Sequence, residues 1–244
     1  MTTLFISDLH LDESRPEITA AFYDFLKDRA SKADALYILG DFFEAWIGDD
    51  EDSSLSREVI SALKQLSNSG VKLFIMHGNR DFLLGSIFCQ QSGATLLPDP
   101  SVVNVYGKKI LLMHGDSLCT SDSEYMAFRL QARSTAWQEH LLSHSLEKRR
   151  ELVAYMRSQS KSMNSLKSED IMDVCLTDVI SEIDKAGVNT LVHGHTHRPD
   201  KHVFNTKKTS AVRWVLGDWG DKVWFIEAKA NTNGTLLELK NYAI

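Results

Sequence analysis

Lys72-Leu73-Phe74-Ile75-Met76 runs almost directly into Gly78-Asn79-Arg80-Asp81, so an apolar run ends in residues that can hold a cation or an anion. A stretch this short and uniformly apolar reads as a strand buried on both faces. The same grammar recurs four times. Leu4-Phe5-Ile6 leads to Asp8-Leu9-His10, Leu36-Tyr37-Ile38-Leu39 to Gly40-Asp41, Ile110-Leu111-Leu112-Met113 to His114-Gly115-Asp116, and Thr190-Leu191-Val192 to His193-Gly194-His195-Thr196-His197. Helical stripes lie between the first runs: Phe22, Phe25, Leu26 and Ala30, then Leu55, Val59, Leu63 and Leu66, stopped by Asn68-Ser69-Gly70. Strands alternating with helices predict an α/β fold whose site collects beyond the carboxyl ends of its strands.

Farther along, the rhythm changes. From Asp116 to about Ala186 no strand pattern appears; Tyr125 to Met156 lacks Gly and Pro and reads as helices, and Ile171 to Ala186 reads as another, closed by Gly187. This predicts one domain over residues 1–244 with a helical insertion, about 121–187, lying over or beside the cleft. Trp214-Val215-Leu216, Val223-Trp224-Phe225-Ile226 and Leu236-Leu237-Glu238-Leu239, separated by Gly-containing turns, are expected to be antiparallel strands completing a second sheet.

The net charge of −6 argues against a general nucleic-acid binder. Three cysteines at wide spacing, Cys89, Cys119 and Cys175, do not make a disulfide framework, which points to a reducing compartment. The amino-terminal residues lack the pattern of a signal peptide, and no run reaches the roughly 18 apolar residues of a spanning helix. The expected location is the cytoplasm.

Asp and His suit Mn²⁺, Fe or Zn²⁺, and so few cysteines cannot build a thiolate site. Asp8 and His10, two apart on an apparently extended segment, would point the same way and share one ion. Asp41 has two oxygens and can bridge to a second ion, completed by Asn79, His114 and His195, while His197 returns to the first. His193 reads as structural or supporting. Two ions about 3.5–4 Å apart would activate a water and clamp a phosphoryl group, so hydrolysis of a phosphate ester or anhydride is the expected reaction.

This ordered series resembles the signature of the calcineurin-like metallophosphoesterases, D-x-H, G-D, G-N-H-(D/E), H and G-H-x-H, over nearly the whole chain outside the helical span. The resemblance implies a four-layer α/β/β/α sandwich. It assigns Asp8, His10, Asp41 and His197 to one ion, and Asp41, Asn79, His114 and His195 to the other.

One position departs from that signature: the His that usually follows the Asn is Arg80. A guanidinium cannot give up a proton near neutral pH, but it can stabilise a leaving phosphate through bidentate contacts. Arg80 therefore favours a diphosphate over a phosphomonoester, and Asp41, His114, His195 and Arg80 form the expected catalytic set. The competing reading pairs Arg80 with Asp81 or another surface carboxylate.

Gly78 to Phe82, with Leu39-Gly40-Asp41-Phe42-Phe43-Glu44-Ala45-Trp46 and Leu216-Gly217-Asp218-Trp219, is similar to a branch of that family acting in bacterial lipid A biosynthesis. The similarity implies Mn²⁺-dependent hydrolysis of a UDP-linked, doubly acylated glucosamine. It also implies substrate contacts from Asn79, Arg80, Asp122, Ser160, Asn164, Lys167 and His195. Apolar positions in the helical span, including Phe128, Trp137, Leu141, Val153 and Met156, would meet the acyl chains. Lys148-Arg149-Arg150, Arg157 and Lys161 would rest on anionic lipid at the inner face of the membrane, each worth about 1 kcal/mol near the surface. The competing functions are a metallophosphoesterase for a soluble nucleotide or phosphoprotein, and a silent scaffold. The scaffold would be expected to have lost ligands, and here none is missing.

Overall fold

A computed structural model describes residues 1–164, 171, 173–207, 209–232 and 234–244, with only the backbone described at 161, 163 and 164. Two sheets face each other. The first contains β1 (Thr2–Ile6), β2 (Ala35–Leu39), β3 (Lys72–Met76) and β4 (Ala94–Leu97) in parallel. On its other edge β10 (Lys222–Asn231) and β11 (Gly234–Ala243) add an antiparallel pair, in the order β11-β10-β1-β2-β3-β4. The second sheet runs β5-β6-β7-β9-β8, from β5 (Ser101–Val105), β6 (Lys108–Leu112), β7 (Thr190–His193), β8 (Asp200–Asn205) and β9 (Ser210–Val215).

This corrects the expectation for the carboxyl-terminal strands. Only Trp214 and Val215 belong to the second sheet, where β9 runs parallel to β7, whereas Val223–Ile226 and Leu236–Leu239 extend the first. Local pattern gives a strand and a turn; it cannot say which of two sheets has a free edge, and β1 offered one.

Alternation of side chains across each strand fills three apolar layers. Between the sheets Phe5, Tyr37, Leu39 and Met76 meet Ile110, Leu112, Val192 and Leu216. On the outer face of the first sheet Leu4, Ile6, Leu36, Ile38, Leu73 and Ile75 are covered by α1 (Pro16–Asp28) through Phe22 and Phe25, and by α2 (Ser54–Asn68) through Val59 and Leu63. The predicted stripes are thus the buried faces of both helices. Ser53 caps α2 by accepting the Ser56 N–H, and the chain leaves that helix through Gly70 at φ 100°. A short helix, α3 (Ser86–Ser92), follows β3.

The long helical region divides. Helices α4 (Ser123–Ala132), α5 (Thr135–Leu142) and α6 (Leu146–Asn164) lie beside the cleft. By contrast α7 (Leu176–Ala186) covers the outer face of the second sheet, with Val179 and Ile183 against Leu111, Leu191 and Ala211. It begins at Leu176 rather than Ile171 and ends, as predicted, on Gly187 in the left-handed conformation at φ 66°. The layers are therefore α/β/β/α. Among the described residues no helix is long and apolar enough to cross a membrane.

Ile183→Ala should destabilise the protein by about 2–5 kcal/mol in urea unfolding, the range for emptying a fully buried aliphatic site. A loss well below 1 kcal/mol would show that α7 does not hold the outer layer.

Candidate metal centre

Five strand ends deliver their polar residues to one edge of the sandwich. The Asp8–His10 segment follows β1 but is not extended. Asp8 and His10 both adopt left-handed backbone, at φ 55° and 51°, as do Asp41 (49°), His195 (68°) and His197 (55°). Their convergence thus comes from tight turns rather than from strand alternation. Non-glycine residues rarely accept this conformation, and it concentrates where function holds the chain.

The turns are locked to each other. Asp8 N–H donates to the Gly40 carbonyl at 3.1 Å, His10 N–H to Asp41 O at 3.0 Å, and Trp219 N–H to Asp8 O at 3.0 Å. Trp219 is itself fully buried, edge-on against Phe22 and Phe25. Asp81 is fully buried; its Oδ1 accepts Gly78 N–H and its Oδ2 accepts Phe42 N–H, both at 2.7 Å. It therefore ties the loops after β2 and β3 together and is not the partner of Arg80.

Two clusters result. Asp8, His10 and His197 form one, and Asp41, His114 and His195 the other, each with ligand atoms within 4.8 Å of one another. In the first, His10 Nε2 lies 3.3 Å from His197 Nε2, which is 3.5 Å from Asp8 Oδ1. Among the described residues that buried Oδ1 has no hydrogen-bond partner, while Oδ2 accepts from Ser7 Oγ and from His195 N–H at 2.9 Å. In the second, His114 Nδ1–H donates to Leu39 O at 2.8 Å, so that Nε2 faces Asn79 Oδ1 at 3.0 Å and Asp41 Oδ1 at 3.7 Å. Two carboxylates, an amide oxygen and four imidazoles brought this close fit cations, and the N/O donor set suits divalent ones.

The protein's own electrostatics divide these groups in two. Burial would raise the Asp8 carboxyl, but the surrounding imidazoles of His197, His114 and His10 outweigh it and hold the group well below the usual range. Burial, with Asp81 and Asp8 adding to it, pushes Asp41 up to about 6 against the pull of His114. Burial lowers His10 to about 2 and His195 to about 4, helped by Arg80 and His114 respectively. Burial opposes a charge on His114 too, yet Asp41, Asp116 and Asp8 raise it to about 9. Asp8 is thus held ionised and His10 and His195 neutral, the forms that ligate metal, whereas His114 is held protonated and would have to lose its proton to bind an ion. His193 is buried, with Nδ1 2.8 Å from Gly194 O, and belongs to neither cluster.

Of the other expected residues, Arg80 reaches Glu44 through Nη1 and lies 3.5 Å from Asp41 Oδ2 through Nε. Asp122 is buried and caps α4 by accepting the Tyr125 N–H at 3.1 Å. Ser160 faces the cavity. Lys167 and the side chain of Asn164 lie outside the described residues.

Several supporting groups were missed. Buried Asp116 accepts Tyr125 O–H at 2.6 Å and Arg129 Nε–H at 2.8 Å, fixing α4 beside the centre. Tyr125 in turn stacks on His195, with ring centroids 6.1 Å apart. Glu44 binds both Arg80 and Arg157. Asp116 and Glu44 each stood in a quoted motif, yet nothing in the one-dimensional pattern separates a carboxylate that ligates from one that orients. The basic run needs correction as well. Arg149 pairs with Asp50, Arg150 with Glu51 and Asp52, and Lys148 with Glu151, so these cations are matched within the protein rather than free for lipid.

Fold and centre define a metal-dependent phosphoesterase, and the calcineurin-like phosphoesterase family matches residues 1–199: the chain belongs to it. Among curated relatives, a UDP-2,3-diacylglucosamine hydrolase of Cellvibrio japonicus is 51% identical over 244 residues, covering 100% of both chains. One of the same name from Pseudomonas aeruginosa is 49% identical over 234 residues, 95% of this chain and 96% of its own. A solved archaeal phosphodiesterase superposes with a TM-score of 0.50 at 12% identity, covering 100% of each chain, which supports the fold.

Gly194→Ala should selectively empty the Asp8 cluster, because the new methyl would sit 2.1 Å from Asp8 Oδ2 and 2.2 Å from Ser7 Oγ. Metal analysis of the purified variant, with circular dichroism to verify folding, checks this. A full complement of metal would mean the cluster tolerates displacement of Asp8.

Proposed function

We propose that this protein hydrolyses the diphosphate of UDP-2,3-diacylglucosamine in lipid A biosynthesis. Water attacks the α-phosphate, and UMP and 2,3-diacylglucosamine 1-phosphate leave. One observation carries the reading. A polar cavity of about 840 Å³ over the two clusters adjoins an apolar groove of about 340 Å³, and Asn79, Arg80, Tyr125, Arg157 and Ser160 line both. The groove walls include Phe82, Phe128, Trp137, Leu141, Val153 and Met156. A ligand with a charged diphosphate joined to acyl chains matches this pairing; a soluble nucleotide or phosphoprotein leaves the groove unused. The names of the full-length relatives point the same way.

Asp8, His10, Asp41 and His197 hold one ion and Asp41, Asn79, His114 and His195 the other; we assign Mn²⁺ to both. When bound, such ions supply a water activated at neutral pH and Lewis-acid polarisation of the phosphoryl group. The protein's own part is orientation. Arg80, at the junction of cavity and groove, stabilises charge on the departing sugar phosphate, which needs no proton. Asn79, Asp122, Ser160, Asn164, Lys167 and His195 complete the polar contacts. Helices α4 to α6 form the cap that receives the acyl chains within a single domain. Exposed Phe128 and Tyr155 on the groove walls favour reversible contact with the inner leaflet.

Manganese-loaded protein in detergent should release UMP from the diacylated UDP-sugar; rapid turnover of unacylated nucleotides with none of the glycolipid would overturn the proposal. Arg80→Ala should retain metal and slow diphosphate cleavage by roughly 3 kcal/mol in activation free energy, as for a lost transition-state donor. An unchanged rate would return Arg80 to a purely structural part.

Met156→Asp should raise KM for the diacylated substrate while leaving the thermal midpoint nearly unchanged, since Met156 lines the groove without packing into the main core. Trp137 does both, so Trp137→Ala should lower stability as well.

A further inference from the structure

We propose that Glu44 is a positioning residue that sets Arg80 and Arg157 against the phosphates of the substrate, an assignment that rests on the function proposed above. Three separate segments meet on this one carboxylate. Glu44 itself stands in the loop after β2, Arg80 in the loop after β3, and Arg157 on α6. Oε1 accepts from Arg157 Nη2 at 2.7 Å and Nε at 3.2 Å, while Oε2 accepts from Arg80 Nη1 and lies 3.4 Å from His10 Nδ1.

Two guanidiniums held this close would repel and splay without the anion between them. Each arginine also carries about 2 kcal/mol of rotamer entropy when free, which must be lost again when a phosphate is gripped. Glu44 removes that freedom beforehand, so both forks face the cavity before substrate arrives. Among the described residues, the remaining terminal nitrogen of each arginine takes part in no hydrogen bond and stays available to the ligand. Both arginines line the junction of the polar cavity and the apolar groove, where the sugar phosphate must lie if the acyl chains occupy the groove. The contact to α6 also couples helix position to the centre, because Glu44 lies three residues beyond Asp41 on the same loop.

The test is a set of double-mutant cycles on kcat/KM for UMP release by manganese-loaded protein. Glu44→Ala should reduce kcat/KM by about 10- to 100-fold, the range for a lost charge-assisted hydrogen bond. Metal content and thermal midpoint should stay near those of the parent, and Glu44→Gln, whose amide oxygen still accepts, should recover part of the loss. In Arg80→Ala and Arg157→Ala backgrounds the effect of Glu44→Ala should shrink, because the groups through which it acts are gone. Fully additive losses, or loss of an ion from Glu44→Ala, would overturn the assignment, the latter making Glu44 a support for His10 instead. Unchanged or faster turnover would also overturn it, by showing that Glu44 competes with substrate. If the protein ignores the glycolipid but cleaves another phosphodiester, the proposed substrate fails, and the same cycles on that ester still decide the role of Glu44.

Discussion

The structure is organised around buried charge at the ends of parallel strands. Asp8, His10, Asp41 and His114 have almost no solvent access, and with His195 and His197 they bring carboxylates and imidazoles within a few ångströms. Unpaired, such groups carry a desolvation penalty of several kcal/mol each. Left-handed backbone at five of these six positions adds roughly 1–2 kcal/mol apiece. Hydrogen bonds offset part of this: Asp8 Oδ2 and Asp41 Oδ1 accept backbone N–H groups from His195 and Arg80, both at 2.9 Å. The rest needs positive charge, which accounts for the convergence of so many otherwise unfavourable features on one edge. The surrounding glycines follow from the same demand. Any Cβ on Gly40 would meet Gly78 and His114 at 2.6 Å, and one on Gly78 would meet Asp41 N at 2.1 Å.

This arrangement also explains what could be read from the chain and what could not. The central strands were legible because burial on both faces forces unbroken apolar runs, and the polar residues after them were legible as the only places such runs stop. The turns that aim those residues were not. Asp and His rarely adopt positive φ, so a two-residue spacing suggested an extended segment where the chain is tightly coiled. Likewise α3 carries no cap of its own. Asp49, 36 and more residues earlier, accepts the Gly85, Ile87 and Phe88 N–H groups at 2.8–3.1 Å, so its start depends on a contact made only after folding.

Charge patterning failed for a related reason. Arg149 and Arg150 read as part of a basic face because their counter-charges, Asp50, Glu51 and Asp52, are about a hundred residues away in sequence. Arg149 is 4% exposed and donates to Ile47 O at 2.7 Å as well as to Asp50, so it acts as an internal fastener. Only the folded chain brings the two runs together; a count of local charge cannot distinguish a fastener from a membrane contact.

These ion pairs have a consequence for the site. An exposed pair contributes little, a median near 0–1 kcal/mol, so Arg150 with Asp52 alone would not fix a helix. Arg149 differs because its guanidinium is buried and bonded to His144 O, Ile47 O and both carboxylate oxygens of Asp50, and Arg157 differs because Glu44 also holds Arg80. The partners of Arg149, Arg150 and Arg157 outside the helical region, Glu44, Ile47, Asp50, Glu51 and Asp52, all lie on the loop that begins with Asp41. The helix forming one wall of the apolar groove is thereby tied to the segment that supplies Asp41. The polar cavity and the apolar groove are therefore joined through side chains of one short loop, with Leu152 adding a core contact for the same helix.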